Sequence, residues 1–228
     1  MIIADDTNLD QYEEEDIFDI IVKLETSFAI RFDKKAFINV KTFGELCDVI
    51  ENYIKYDSKD GCTKQQAFYK IRTAITETQL LDKKIISLNS KLVDIFPRQN
   101  RRRKVQIFQK KLGVKLTFLT YPGWLSLIFL ITFLASLVAL FLNWYNAVWG
   151  IILVPIALHI ADKLGNELAV KTIRELTEKA ATEHYVDMRS TKLTVNRNEI
   201  LDTIKEAFQH GLAIEKEKLT RDAKFSWA

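Results

Sequence analysis

Between Leu116 and Ala161 the chain carries no Lys, Arg, Asp or Glu. Trp124–Leu142 and Trp144–Ala161 are nearly unbroken apolar runs of 19 and 18 residues, parted by a polar knot at Asn143 and Asn146. Roughly 20 apolar helical residues span a bilayer's hydrocarbon core, with about 17 as the lower limit. Backbone groups in lipid must be satisfied within their own segment, so the runs predict two helices joined by a tight turn, a transmembrane hairpin over residues 122–162. A hairpin buried in a soluble core is the competing reading. The absence of charge over such a length weighs against it. So do the aromatics at both ends, Tyr121 and Trp124 on one side and Trp144, Tyr145 and Trp149 on the other, where interfacial belts occur.

Outside the hairpin the apolar period is helical. Ile17, Phe18, Ile20, Ile21, Leu24 and Phe28 form one stripe behind Glu13, Glu14, Glu15 and Asp16, an acidic start suited to a helix N-terminus. Thr42 and Glu45 form a capping-box pattern ahead of a second helix with Phe43, Leu46, Val49, Ile50 and Ile54 inward. YDSKDGC reads as a linker, Thr63–Ile75 as a third helix, and a basic helix follows from about residue 98. Thr172 can cap IRELTEKAATEHYV, and Asn198 can cap EILDTIKEAFQHG, ending at Gly211. No useful strand alternation occurs, so the fold class is all-α.

Segments of this chain also resemble one another. IADDTNL (3–9), ISLNSKL (86–92) and LTRDAKF (219–225) share an aliphatic first residue, Asp or Asn at the fourth and a bulky apolar seventh, while VKTFGEL (40–46) and VKTIREL (170–176) agree at five of seven positions. FAIRF (28–32) parallels LGVKL (112–116), each closing a helix. Self-similarity of this kind points to duplicated helical modules, with the apolar hairpin inserted in the second.

A helix, a long loop with an aliphatic-T-x-D-A-x-F signature, a second helix and a last helix opened by T-[VIF]-x-[DE]-L resemble the acyl carrier protein fold, most closely in LAIEKEKLTRDAKF and next in KIISLNSKLVDIF. The resemblance implies two small helical bundles. Copy 1 spans 1–60 and is completed by the helix and loop of 194–228, from the same chain or a neighbour; copy 2 comprises 61–116 and 164–193. Working carriers hold phosphopantetheine on a Ser at the start of the second helix. The matching positions here are Glu13, Glu14 and Glu15 in copy 1 and about Pro97 to Asn100 in copy 2, so the resemblance implies pseudo-carriers without a cofactor.

Net charge is +3, but it is unevenly placed. Residues 98–115 hold Arg98, Arg101, Arg102, Arg103, Lys104, Lys110, Lys111 and Lys115 without an acid, and Lys163, Lys171 and Arg174 follow the second run. Positive flanks mark the cytoplasmic side, which predicts a two-pass inner-membrane protein with both termini cytoplasmic and no signal peptide. The basic residues Arg98 to Lys104, with Lys110 and Lys111, are candidates for contact with anionic lipid, together with the belt aromatics. Glu13, Glu14, Glu15, Asp16 and Asp19 oppose them in sign at equivalent positions and form a candidate interaction face for a protein partner or a second copy. Solvation of a charged face is the simpler alternative. Nucleic acid is not expected, because the basic cluster has no interleaved stacking aromatics.

Catalytic chemistry is thinly represented. His159, His184 and His210 have no metal-ligand spacing, Cys47 and Cys62 have no evident base nearby, and neither GxSxG, HExxH nor GxxxxGK[ST] occurs. Enzyme, metal and cofactor functions are therefore not expected. The sequence supports a non-catalytic scaffold displaying pseudo-carrier bundles. Its alternatives are an immunity protein against a membrane-targeted toxin and an accessory factor of lipid or acyl metabolism.

Overall fold

The computed structural model describes residues 9–33, 35–139 and 144–227. Within them the chain is mainly helical. In chain order the elements are α1 (Glu14–Phe28), α2 (Phe43–Tyr53), β1 (Asp57–Ser58), α3 (Thr63–Gln79), α4 (Leu92–Ile95), α5 (Arg101–Leu112), β2 (Leu119–Thr120), α6 (Gly123–Ala139), α7 (Trp144–Leu164), β3 (Glu167–Leu168), α8 (Ile173–Glu183), α9 (Tyr185–Met188), β4 (Thr194–Val195) and α10 (Arg197–Leu212). Two 3-10 turns, Lys83–Ile85 and Lys216–Lys218, precede the loop segments that resemble each other. The described residues divide into a terminal unit, up to 73 and from 177 onward, and a central unit, 74–176. Residues 61–73 and 177–193, expected in the second copy, thus fall in the terminal unit. Tyr185 shows why: it is buried in that core with its ring 5.3 Å from Phe28.

In the terminal unit the stripe of α1 (Ile17, Ile20, Ile21, Leu24, Phe28) packs with Phe43, Leu46 and Ile50 of α2 and Ile200, Ile204 and Phe208 of α10. Phe43 meets Phe208 edge to face at 5.1 Å. Two expectations for α10 change. Its cap is Asn196, whose side chain accepts from the Asn198 backbone N–H, and it runs through Gly211 to Leu212 before Ala213 turns left-handed at φ 52°. Gly211 lets α1 approach closely, since a Cβ there would stand 2.6 Å from the Ile20 side chain. Cys47 is fully buried in this core, and burial pushes its thiol up to about 12. The linker 56–62 contributes β1, which pairs in parallel with β4.

The similar segments have the same hydrogen-bonding role in each unit. In the terminal unit the N–H groups of Phe43 and Gly44 donate to the carbonyls of Ala223 and Arg221, both at 2.8 Å. In the central unit Ile173 and Arg174 donate to Ser90 and Leu88, at 3.0 and 2.8 Å. Each set satisfies N–H groups that a helix start leaves open. Thr42 with Glu45 closes a capping box; in the central unit the Glu175 N–H donates to Thr172 Oγ1 and the Lys171 N–H to the Glu175 carboxylate, as the Lys41 N–H does to Glu45. Leu80 and Ala213 end α3 and α10 with φ 56° and 52°; Ala29 and Gly113 end α1 and α5 with φ 51° and 84°. Of the third similar segment, 3–9, only Leu9 is among the described residues. It is buried, and its N–H donates to Lys224 at 2.8 Å.

Phe96, Phe108 and Phe118 form the centre of the other core, with ring centroids 5.4 to 6.2 Å apart. Leu92, Val105, Leu116, Ile173 and Leu176 are buried in the same unit.

Candidate membrane-contacting site

The hairpin helices α6 and α7 belong to the central unit and pack on each other. Their remaining surface is apolar and open, with Trp124 63%, Val138 63% and Ile131 58% exposed. The hydroxyls of α6 are satisfied within the helix: Thr132 donates to Ile128 O and Ser136 to Thr132 O, both at 2.8 Å. Among the described residues no helix is long and apolar enough to cross a membrane. The spans expected over Trp124–Leu142 and Trp144–Ala161 fall only in part within the described residues, since Leu140, Phe141 and Leu142 lie outside them. The 21 residues of α7 contain Pro155 and end in a turn carrying Lys163. The turn expected at Asn143 lies outside the described residues, as do the side chains of Trp144 and Tyr145.

Both helices leave the bundle through one narrow root. β2 and β3 pair antiparallel across it, Leu119 opposite Leu168 and Thr120 opposite Glu167. Gly165 is required here, because a Cβ would overlap the Thr120 carbonyl. Gly165→Ala is expected to destabilise the central unit by roughly 1–3 kcal/mol, since backbone cannot yield as a side chain can. Hydrogen exchange checks this at the Ala169 amide, which donates to Phe118 O at 3.0 Å.

Arg101 ties the root to α5. Its Nε donates to Phe96 O at 2.7 Å and its Nη1 to Asn166 O at 2.5 Å, while the Glu167 carboxylate stands 3.7 Å away. With 3% exposure it does not reach lipid, which corrects its expected role as a lipid contact. Arg101, Val105 and Phe108 are the buried residues of α5 and repeat the spacing of Ile17, Ile21 and Leu24 in α1. An arginine thus occupies the place of an isoleucine where the hairpin's root must be held. Arg102 donates to Lys163 O at 2.9 Å, Arg98 pairs with Glu167 at 2.9 Å, and the Asn166 side-chain amide donates to Arg98 O at 3.1 Å.

The structure separates the remaining basic residues. Arg98 and Arg103 are exposed, and Arg102 and Lys104 are half-buried. Lys110 and Lys111 lie at the opposite end of α5, and Lys111 pairs with Glu77 at 2.5 Å. Tyr121 is half-buried at the root; Trp124 and Trp149 are exposed on the hairpin. Glu13, Glu14, Glu15, Asp16 and Asp19 are all exposed at the start of α1, in the terminal unit, beside the exposed ring of Phe18.

Sequence reasoning did not find Arg189, Asn166 or Gly165. Arg189 is buried in the terminal unit, donating to Thr194 Oγ1 at 3.1 Å, Thr63 Oγ1 at 2.8 Å, Gly61 O at 3.2 Å and Lys59 O. Nothing in the periodicity marks it. A cavity of about 180 Å³ near it is lined by Thr63, Lys64, Tyr185, Glu199, Asp202 and Glu206. Its charges already have partners: Glu199 accepts from Thr63 and Tyr185, and Lys64 and Lys216 bridge Glu206. Burial raises the Tyr185 phenol, which suits a neutral donor to Glu199. Among the described residues no group of three His, Cys, Asp or Glu could hold a metal ion. Comparison of the chain with protein-family models, curated proteins and solved structures finds no match.

Proposed function

We propose that the protein is a non-catalytic scaffold of a bacterial inner membrane, in which the hairpin enters the bilayer and the two units, read as degenerate carrier-like bundles, remain on the cytoplasmic face for protein interaction. One observation carries this reading. Of the 23 large apolar side chains exposed among the described residues, 14 lie on α6 and α7. A patch of that extent marks a surface that something apolar covers in the working protein. A bilayer fits best because the hairpin's own hydroxyls are internally bonded and cations gather at its root. The carrier-like reading is supported by the matched loop-to-helix hydrogen bonds in the two units.

Thiol labelling of the full-length chain in intact bacteria, with the outer membrane opened, tests the topology. Asn146→Cys, at the far end of the hairpin, is expected to react with an impermeant maleimide from outside. The native Cys62, exposed in the terminal unit, is expected to react only after lysis. Protection of Asn146→Cys until lysis would reject a hairpin that reaches the far face, and release of the protein by alkaline carbonate would reject insertion altogether.

A further inference from the structure

We infer that the root of the hairpin is an anionic-lipid site, with Arg98, Arg103 and Lys163 as the residues that meet the headgroups. The inference rests on the membrane reading above and assigns the lipid class. By sequence the root carries Arg98, Arg101, Arg102, Arg103, Lys104 and Lys163 against Asp162 and Glu167. Geometry divides these cations by task. Arg101 is enclosed and spent on two carbonyls, and Arg102 is drawn against Lys163 O. Arg98 keeps 73% of its side chain in solvent despite its contact with Glu167, and Arg103 and Lys163 are exposed.

Their position follows from the tethers. Residues 98 to 102 are bonded to 163–167, the segment in which α7 ends, and β3 there pairs with β2, three residues before α6 begins. These cations therefore surround the level at which apolar helix gives way to polar bundle. Tyr121 and Trp124 lie at the same level. Lys110 and Lys111 are eight and nine residues beyond Arg102, roughly 12–14 Å along α5 at 1.5 Å per residue. That is more than a Debye length at physiological ionic strength, about 8 Å. The sequence alone assigned both ends of α5 to lipid; the inference assigns only the end tied to the root, by Arg98 and Arg102, to the headgroups. Each Lys or Arg near an anionic surface contributes about fivefold in association, so three residues give roughly 100-fold at low salt.

The test is tryptophan quenching in the full-length protein, reconstituted in vesicles of phosphatidylcholine containing either brominated phosphatidylcholine or brominated phosphatidylglycerol. The expected result is stronger quenching by the brominated phosphatidylglycerol at equal mole fraction, with the preference falling as salt is raised. Arg98→Ser/Arg103→Ser/Lys163→Ser is expected to abolish the preference while quenching by brominated phosphatidylcholine persists. Lys110→Ser/Lys111→Ser is expected to keep it. Equal quenching of the unmodified protein by both lipids overturns the inference and leaves the membrane reading standing, as does a preference that survives the triple substitution or is lost in the Lys110/Lys111 variant. Quenching by neither lipid overturns the membrane reading itself.

Discussion

Removal of residues 213–228 is expected to unfold the terminal unit and leave the central unit folded. The segment contains Leu219, Ala223 and Phe225, each at most 2% exposed. Its carbonyls accept from Phe43, Gly44 and Leu9, and the Phe225 N–H donates to Lys41 O. Deleting one buried Leu or Phe commonly costs about 2–5 kcal/mol, and a whole domain is stable by only about 5–15 kcal/mol. Two such side chains, about 4–10 kcal/mol together, with the lost N-terminal bonds of α2, are comparable to the whole stability of such a unit. Hydrogen exchange on the full-length and shortened chains separates the outcomes. Amides of α1 and α2 should lose protection, and those of α5 should retain it. Persisting protection in α1 would show that the loop is an accessory to the bundle and not part of its core.

Arg101→Ala is expected to be the most damaging single change at the hairpin root. It strands the carbonyls of Phe96 and Asn166, removes a partner of Glu167 and leaves a cavity beside Val105 and Phe108. Breaking a buried charged contact by truncating one side costs about 3–5 kcal/mol. Arg101→Met isolates the polar part, because it restores the apolar stem at the position that Ile17 occupies in α1. A loss of roughly 1–3 kcal/mol is expected for Met, with exchange rising at Ala169 before the rest of α5. Equal losses for Ala and Met would assign Arg101 to hydrogen bonding alone. A neutral Met variant would mean that the root is held by β2 and β3 without it.

Much of the helical pattern was legible in one dimension, for a plain reason. The stripe from Ile17 to Phe28, the Thr42–Glu45 capping box and the Thr172 cap depend on residues three or four positions apart, and such spacing is visible along the chain. The end of α10 was less legible. Gly211 commonly closes a helix, yet here it is kept for the approach of Ile20, a neighbour 191 positions away in sequence. Local rules cannot distinguish a glycine that ends a helix from one that makes room for another. The basic cluster failed in the same way. Eight cations between residues 98 and 115 predict a solvated or lipid-facing surface, and only the fold shows that Arg101 is turned inward to hold Asn166.

By itself, the sequence determined the predominance of helix, the charge-free block from Leu116 to Ala161, its basic flank and the similarity of residues 86–92 to 219–225. All of these follow from composition and short-range spacing. Tertiary structure decided that each similar loop feeds carbonyls to the helix start of its own unit, and that Tyr185 joins the terminal core. It also decided that Gly165 and Arg101 secure the root of α6 and α7. Those choices depend on which distant carbonyl meets which N–H and on how much room a neighbour leaves. Both are set by packing in three dimensions, where residues far apart in the chain satisfy one another's polar groups.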